Sequence, residues 1–385
     1  MSGPEITADL RSELLSGIGL DHRAVSQTIA TIEEVQRPSG MIPWFEGGHC
    51  DPWNHVEAAM ALAVAGRLGA AERAYEWLWS TQHADGSWFN YYWPDGSVED
   101  RRIDTNVCAY VATGIWHQYL ATGDEGLVQA MWPMVERAIG YVLSWQRPGG
   151  ELVWSVREDG SPESYALLTG SSSAYLSVRC AIACGELVGE EHPEWELAAG
   201  RLRHAVAYRP SSFAPKDRYA MDWYYPVLAG ALDEAPSHDR IEAGWDAFVM
   251  DGYGVRCVSD RPWVTAAETA ECAIACLKLG RVEDAARLLA WVQDQRDPDG
   301  AYTTGRVYPE RSTFPHEERS TYTAAAIALA ADALGGCSPT SGLFLGHGLP
   351  TGLDLDEVDL DGRVAVGGTR AQVGAQSTSA TVNPS

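Results

Sequence analysis

This chain lacks an apolar run long enough to cross a bilayer. Its longest strongly apolar stretch extends only from Thr323 to Leu334, inside an alanine-rich helical pattern, whereas a spanning helix needs roughly 20 residues. Basic residues are scarce too: Lys and Arg number 28 against 53 Asp and Glu, a formal net charge of -25. Nucleic-acid affinity comes largely from Lys and Arg displacing condensed counterions, so no nucleic-acid partner is expected. The acids are scattered and read as a solvated face that keeps the protein soluble. The opening MSGPEITADLRSELL carries acids where a signal peptide has a basic end and an apolar stretch, and the expected location is the cytoplasm. Eight cysteines contain no C-x-x-C. Without a secretory signal they read as reduced thiols, and Cys180/Cys184 and Cys272/Cys276 lie among Ala, Ile and Leu, where Cys packs as a small hydrophobe. Neither a metal site nor a cofactor is expected.

Strand signals are sparse, and helical periodicity dominates. Stretches of small apolar residues end in glycine at Gly69, Gly123, Gly189, Gly230, Gly280 and Gly335, at intervals of 41 to 66 residues, and each is followed by a more charged amphipathic segment. Glycine suits the left-handed position just past a helix end, and a period near 50 marks a repeat architecture. The pattern predicts twelve helices, at about 22–36, 52–68, 70–82, 105–122, 125–145, 171–188, 193–207, 218–232, 238–249, 264–279, 281–294 and 319–334. Alternate ones, such as VTAAETAECAIACLKLG, are apolar nearly all round, as a helix buried on every side must be, while the others keep a charged face. Six inner and six outer helices in alternation predict an all-α fold, an (α/α)6 toroid. Residues 1–20 read as a lead-in, 21–337 as the toroid and 338–385, rich in Gly, Ser, Thr and Asp, as a flexible tail.

The turn QHADGSW at 82–88 has the form Q-x-x-x-G-x-W, with looser relatives at QRPGG (146–150) and QRDPDGAY (295–302). It is similar to the QW repeat of squalene cyclases and prenyltransferase β-subunits, and DG-x-aromatic loops also recur in glycosidases built on the (α/α)6 toroid. This resemblance covers roughly residues 20–336 as architecture and specifies scaffold rather than reaction. A prenyltransferase would bind zinc through an Asp, a Cys and a His, and no matching set is found. The D-x-D-D acid of class II terpene cyclases has its nearest counterpart at Asp354-Leu355-Asp356-Glu357, in the tail. A terpene cyclase or prenyltransferase-like toroid remains as an alternative.

Phe is the scarce aromatic, with 6 against 15 Trp and 16 Tyr. Trp and Tyr join an apolar face to a polar handle, which suits the mixed faces of a sugar, and many fall in the loops that lead into inner helices. The segment PWFEGGHCDPWNHVEAAMAL at 43–62, with the chain's length and acidity, resembles the mycobacterial hydrolases that cleave methylmannose polysaccharide, an intracellular α-mannan. That resemblance implies an endo-acting, inverting glycoside hydrolase whose partner is a polysaccharide or oligosaccharide substrate.

Glycoside hydrolysis needs two carboxyl groups, one protonated and one ionised. Asp51 precedes Pro52, a strong helix N-cap signal, and is flanked by Trp44 and Trp53. Glu268 stands one turn into an uncharged inner helix, where an unpaired carboxylate is costly. Asp51 is expected as general acid and Glu268 as general base, where the resembled family places its acidic pair. Trp44, Glu46, His49, Trp53, Trp88, Tyr92, Asp104, Asp222, Trp223, Trp263 and Tyr302 are expected to bind substrate. His49, Cys50 and His55 invite a zinc or thiol-nucleophile reading, but no distant ligands and no positioning motif support it. A non-catalytic glycan-binding toroid is the alternative from another functional class.

Overall fold

The computed structural model describes residues 8–353 and the short strands Val358–Asp359 and Arg363–Val364. The D-x-D-D-like string at 354–357 lies outside the described residues. The helices are α1 (Ala8–Gly17), α2 (His22–Val35), α3 (Pro52–Val64), α4 (Leu68–Thr81), α5 (Thr105–Ala109), α6 (Val111–Thr122), α7 (Glu125–Ser144), α8 (Leu168–Val188), α9 (Pro193–Tyr208), α10 (Ala220–Leu228), α11 (Glu234–Phe248), α12 (Ala266–Lys278), α13 (Val282–Trp291) and α14 (Thr321–Gly335).

Six inner elements form a closed ring. The order round it is α3, α5 with α6, α8, α10, α12 and α14, and α14 packs back onto α3. These helices are buried along almost their whole length, which explains why they are built from Ala, Cys, Val and Ser: small side chains let backbones approach. The outer helices α2, α4, α7, α9, α11 and α13 alternate with them in sequence. The predicted helices are all present, and α1, which packs on α14, is an additional one within the segment read as lead-in. Each loop running from an outer helix to the next inner one ends at a common mouth, and the short antiparallel strand pairs, such as Ile103–Asp104 with Ser155–Val156, lie in these loops.

The Q-x-x-x-G turn has a mechanical job. Gln82, the residue after α4, donates its amide N–H to Gly86 O at 3.0 Å and to Met134 O of α7, the next outer helix, at 2.9 Å. Gln36 does the same for Gly40 O and Ala70 O of α4, and Gln146 for Gly150 O and Ala198 O of α9. The fourth turn replaces Gln by Arg296, which donates to Ala24 O and to Gln27 Oε1 of α2, while Thr28 donates to Gly300 O. That contact ties α13 back to the first outer helix. Each of these glycines has φ between +93° and +99°, and a Cβ on Gly86 would stand 2.2 Å from Arg137 O. The residue two places after each glycine, Ile42, Trp88, Leu152 or Tyr302, is a fully buried plug.

The opposite end is closed by the segment following α14. Leu343 and Phe344 are buried, Lys278 Nζ donates to Phe344 O at 3.0 Å, Trp116 Nε1 to Gly348 O at 3.1 Å and Arg179 Nη2 to Pro350 O at 2.5 Å. Residues 338–353, expected to belong to the tail, are seated here through an apolar triplet, Leu343-Phe344-Leu345, that polar composition masked.

Gly86→Ala should cost about 3 kcal/mol or more, the left-handed backbone contributing about 1–2 kcal/mol and the carbonyl clash the rest. Gly96→Ala, with φ of +85° but open space around it, should lose only the first part. Denaturant unfolding of both variants checks the difference.

Candidate active site

The mouth opens into a cavity of about 660 Å³ whose wall draws on all six loops. Of the residues expected from sequence, Trp44, Asp51, Trp53, Asp104, Asp222, Trp263 and Glu268 line it.

Asp51 is the N-cap of α3. Its Oδ1 accepts the backbone N–H groups of Trp53 (2.9 Å) and Asn54 (3.0 Å), and its Oδ2 accepts Trp44 Nε1–H at 2.6 Å and Asn54 Nδ2–H at 2.5 Å. Capping thus occupies one oxygen and leaves the other aimed at the cavity wall. Burial raises its pKa against these four donors. Asp104 repeats the design on the neighbouring inner element: Oδ1 accepts from Asn106 N (2.9 Å) and Val107 N (3.2 Å), and the Trp154 indole is a further donor. Burial, with the charge of Asp51 adding to it, pushes Asp104 up to about 6.

Glu268 lies in the first turn of α12, where the Thr265 hydroxyl donates to Oε2 and the Cys257 thiol to the carboxylate. Its pKa is raised by burial. Asp222, on α10, accepts from Thr169 Oγ1 at 2.6 Å.

Six expected binders stand elsewhere. Trp88 and Tyr302 are the buried plugs of their repeat turns, Trp88 Nε1 donating to Leu78 O and Tyr302 OH to Gln293 Oε1. Tyr92 faces the core, its hydroxyl accepting Phe89 N–H and its ring against Trp77, because successive side chains of a strand alternate. The adjacent Tyr91 takes the cavity position instead. Trp223 stacks on Phe248 of α11 and donates to Arg240 O. His49 pairs with Glu99 at 3.0 Å and buttresses the rings of Trp44 and Tyr91 from behind. Glu46 lines a second cavity of about 680 Å³, together with Tyr302, Glu317 and Arg319.

The thiol and imidazole readings find no support. Burial raises the Cys50 thiol, and His55 accepts Ile42 N–H on Nδ1 (3.0 Å) and meets Ala74 O through Nε2 (2.9 Å). Burial lowers the pKa of His55 to about 4, so it stays neutral. Among the described residues no cluster of three or more His, Cys, Asp or Glu could hold a metal ion.

The loop aromatics Tyr91 and Tyr225 also line the wall, and sequence reading missed Asn54, Asn90, Arg102, Lys216 and Tyr322 there. It also missed a buried layer beneath. Tyr110 donates to Glu57, and Tyr224 and Tyr322 both donate to Glu271. The two carboxyls, with Tyr225 and Phe344, line a pocket of about 10 Å³. Burial pushes Glu57 up to about 7, and burial together with the charge of Glu57 pushes Glu271 up to about 8. The signal was present as Glu57 and Glu271, the only acids of two otherwise apolar inner-helix segments apart from Glu268.

A relative from Mycolicibacterium hassiacum, described as an MMP endo-(1,4)-3-O-methyl-alpha-D-mannosidase, is 50% identical over 328 residues, covering 85% of this chain and 90% of that protein. An uncharacterized glycosyl hydrolase of Methanocaldococcus jannaschii is 29% identical over 154 residues, 39% of this chain and 24% of the relative. No family model matches. Among solved structures, a wild-type glycosidase shares the fold with a TM-score of 0.63 at 14% identity, over 85% of this chain and 99% of its own. A GH63 mannosylglycerate hydrolase from Thermus thermophilus does so with a TM-score of 0.62 at 13% identity, over 80% and 99%.

The buried carboxyls predict a pH effect on folding. Between the ordinary Glu value of 4.5 and the folded-state values of about 7 and 8, the folded protein keeps protons that the unfolded chain has released, so stability falls as pH rises through that window. The double variant Glu57→Gln/Glu271→Gln should be increasingly favoured over the parent between pH 5 and pH 8 in thermal unfolding scans. Parallel curves would remove the two residues from this account.

Proposed function

The chain belongs to the endomannosidase family of the Mycolicibacterium hassiacum relative, and we propose that it is an endo-acting glycoside hydrolase that cuts an α-(1,4)-linked, 3-O-methylated mannan with inversion of configuration. The observation that carries this reading is the placing of Asp51 and Glu268 at the N-terminal ends of two inner helices, in the wall of one aromatic cavity. A polysaccharide segment lies across the mouth with its pyranose faces on Trp44, Tyr91 and Trp263. The eight cysteines are free, which agrees with a reducing cytoplasm and an intracellular substrate.

The acid belongs on the Asp51 side. Burial raises the pKa of both Asp51 and Asp104, which stand on adjacent inner elements, and the charge of Asp51 adds to the effect at Asp104, so the protonated form is favoured on this side of the cavity. Asp51 releases its proton to the glycosidic oxygen as the C1–O bond breaks. Asn54 accommodates both states, because a side-chain amide can turn its N–H₂ to a carboxylate or its oxygen to a carboxylic acid. Glu268 is the base: it takes the proton of a water that attacks C1 from the opposite face. Glu271 beneath it, pushed up to about 8 chiefly by burial, keeps its own proton at neutral pH and so adds no negative charge against Glu268. The indole of Trp44 and the Thr265 hydroxyl hold the two carboxyls in place.

Asp51→Asn and Glu268→Gln should each lower kcat on a methylated oligomannoside by about 10²–10⁴-fold, with NMR of the parent reaction showing the β-anomer first. A mannosyl fluoride substrate, whose leaving group needs no proton, should restore Asp51→Asn and leave Glu268→Gln inactive. Restoration of Asp104→Asn in place of Asp51→Asn would move the acid to the neighbouring carboxyl, and a first-formed α-anomer would exclude inversion.

A further inference from the structure

The cavity wall falls into two arcs. One runs through α12, α14 and α3 and carries Glu268, Tyr322 and Asp51. The other runs through α5, the start of α8 and α10, and there three apolar side chains, Val107, Leu167 and Met221, line the wall half-buried among Asp104, Asn106, Thr169 and Asp222. These three elements are contiguous in the ring. The start of α8 comes so close to α5 that a Cβ on Gly170 would stand 3.5 Å from Asn106 Cβ. On its other side, Thr169 Oγ1 reaches Asp222 of α10 at 2.6 Å. Val107, Leu167 and Met221 are therefore held at the N-terminal ends of inner helices, and their positions are fixed by the ring.

Aliphatic side chains are out of place in a site for a plain sugar. They offer no flat face for stacking on a pyranose, and a hydroxyl buried against them loses its hydrogen bonds to water without replacement. A methyl ether reverses both objections: it has no proton to donate, and its carbon gains from leaving water. We infer that Val107, Leu167 and Met221 receive the O-methyl group of a methylated mannosyl residue, and that this arc selects methylated over unmethylated chains. The inference rests on the mannosidase reading above and adds to it the residues that set specificity.

One methyl group in an apolar pocket is worth roughly 10- to 200-fold in kcat/KM. The test measures kcat/KM for 3-O-methylated and unmethylated α-(1,4)-mannotetraose side by side. The parent enzyme should prefer the methylated chain by a factor in that range. Val107→Thr, Leu167→Asn and Met221→Gln, each close in shape to the original, should each cut the preference several-fold, and the triple variant should bring it near unity, whereas Met221→Leu should keep it. A parent enzyme that cleaves both chains equally would overturn the inference and leave the mannosidase reading standing. So would polar variants that lose both activities in proportion. A parent that cleaves neither chain would overturn the mannosidase reading and this inference together.

Discussion

The ring holds its shape because four of the six junctions between successive outer helices are fastened through a turn. In three of the four described turns a glutamine amide spans two carbonyls, one in its own loop and one on the next outer helix, and the glycine four residues on lies so close to that helix that no side chain fits. The fourth uses arginine and joins the last outer helix to the first. A toroid has no terminal repeat to absorb error, so a small rotation at each step would accumulate and the ring would fail to close. Backbone-to-backbone contact leaves little slack for such rotation, and the six inner helix ends therefore converge on one mouth with fixed relative positions.

That convergence puts the chemistry where the helices begin. An inner helix presents unpaired N–H groups at its first turn, and an acidic residue there both caps the helix and faces the cavity. Asp51 and Asp104 exploit this in the same way, each with two backbone N–H groups on one oxygen and an indole nearby. Burial raises the pKa of both carboxyls, and the charge of Asp51 adds to it at Asp104, so one local design repeated on adjacent helices brings two perturbed carboxyls to one cavity. Beneath it, Glu57 and Glu271 show the same logic in a drier setting, where tyrosines replace backbone donors.

The architecture was legible because burial on every side and burial on one face leave different periodicities, and these alternate along the chain. The helix-capping carboxylate Asp51 was legible too, since Asp before Pro is a local signal. Side-chain direction was not. Tyr91 and Tyr92 are indistinguishable by composition, yet strand parity sends the first to the cavity and the second to the core. Trp88 and Tyr302 looked like sugar platforms because they fall in loops that lead into inner helices, but their position two residues after the turn glycine makes them buried plugs. Trp223 was drawn inward by Phe248, a residue on the following outer helix that no local pattern links to it. The segment 338–353 looked unstructured because its three consecutive apolar residues are diluted by glycine and serine.

That segment decides how a polymer can be handled. With Leu343 and Phe344 seated against the inner ring and held by Lys278, Trp116 and Arg179, the barrel is a cup and not a tunnel. A chain of many sugars cannot be threaded through it and clipped in successive steps. On the mannosidase reading proposed above, a glycan can reach the carboxyls only from the one open end, and its products must leave by the same way.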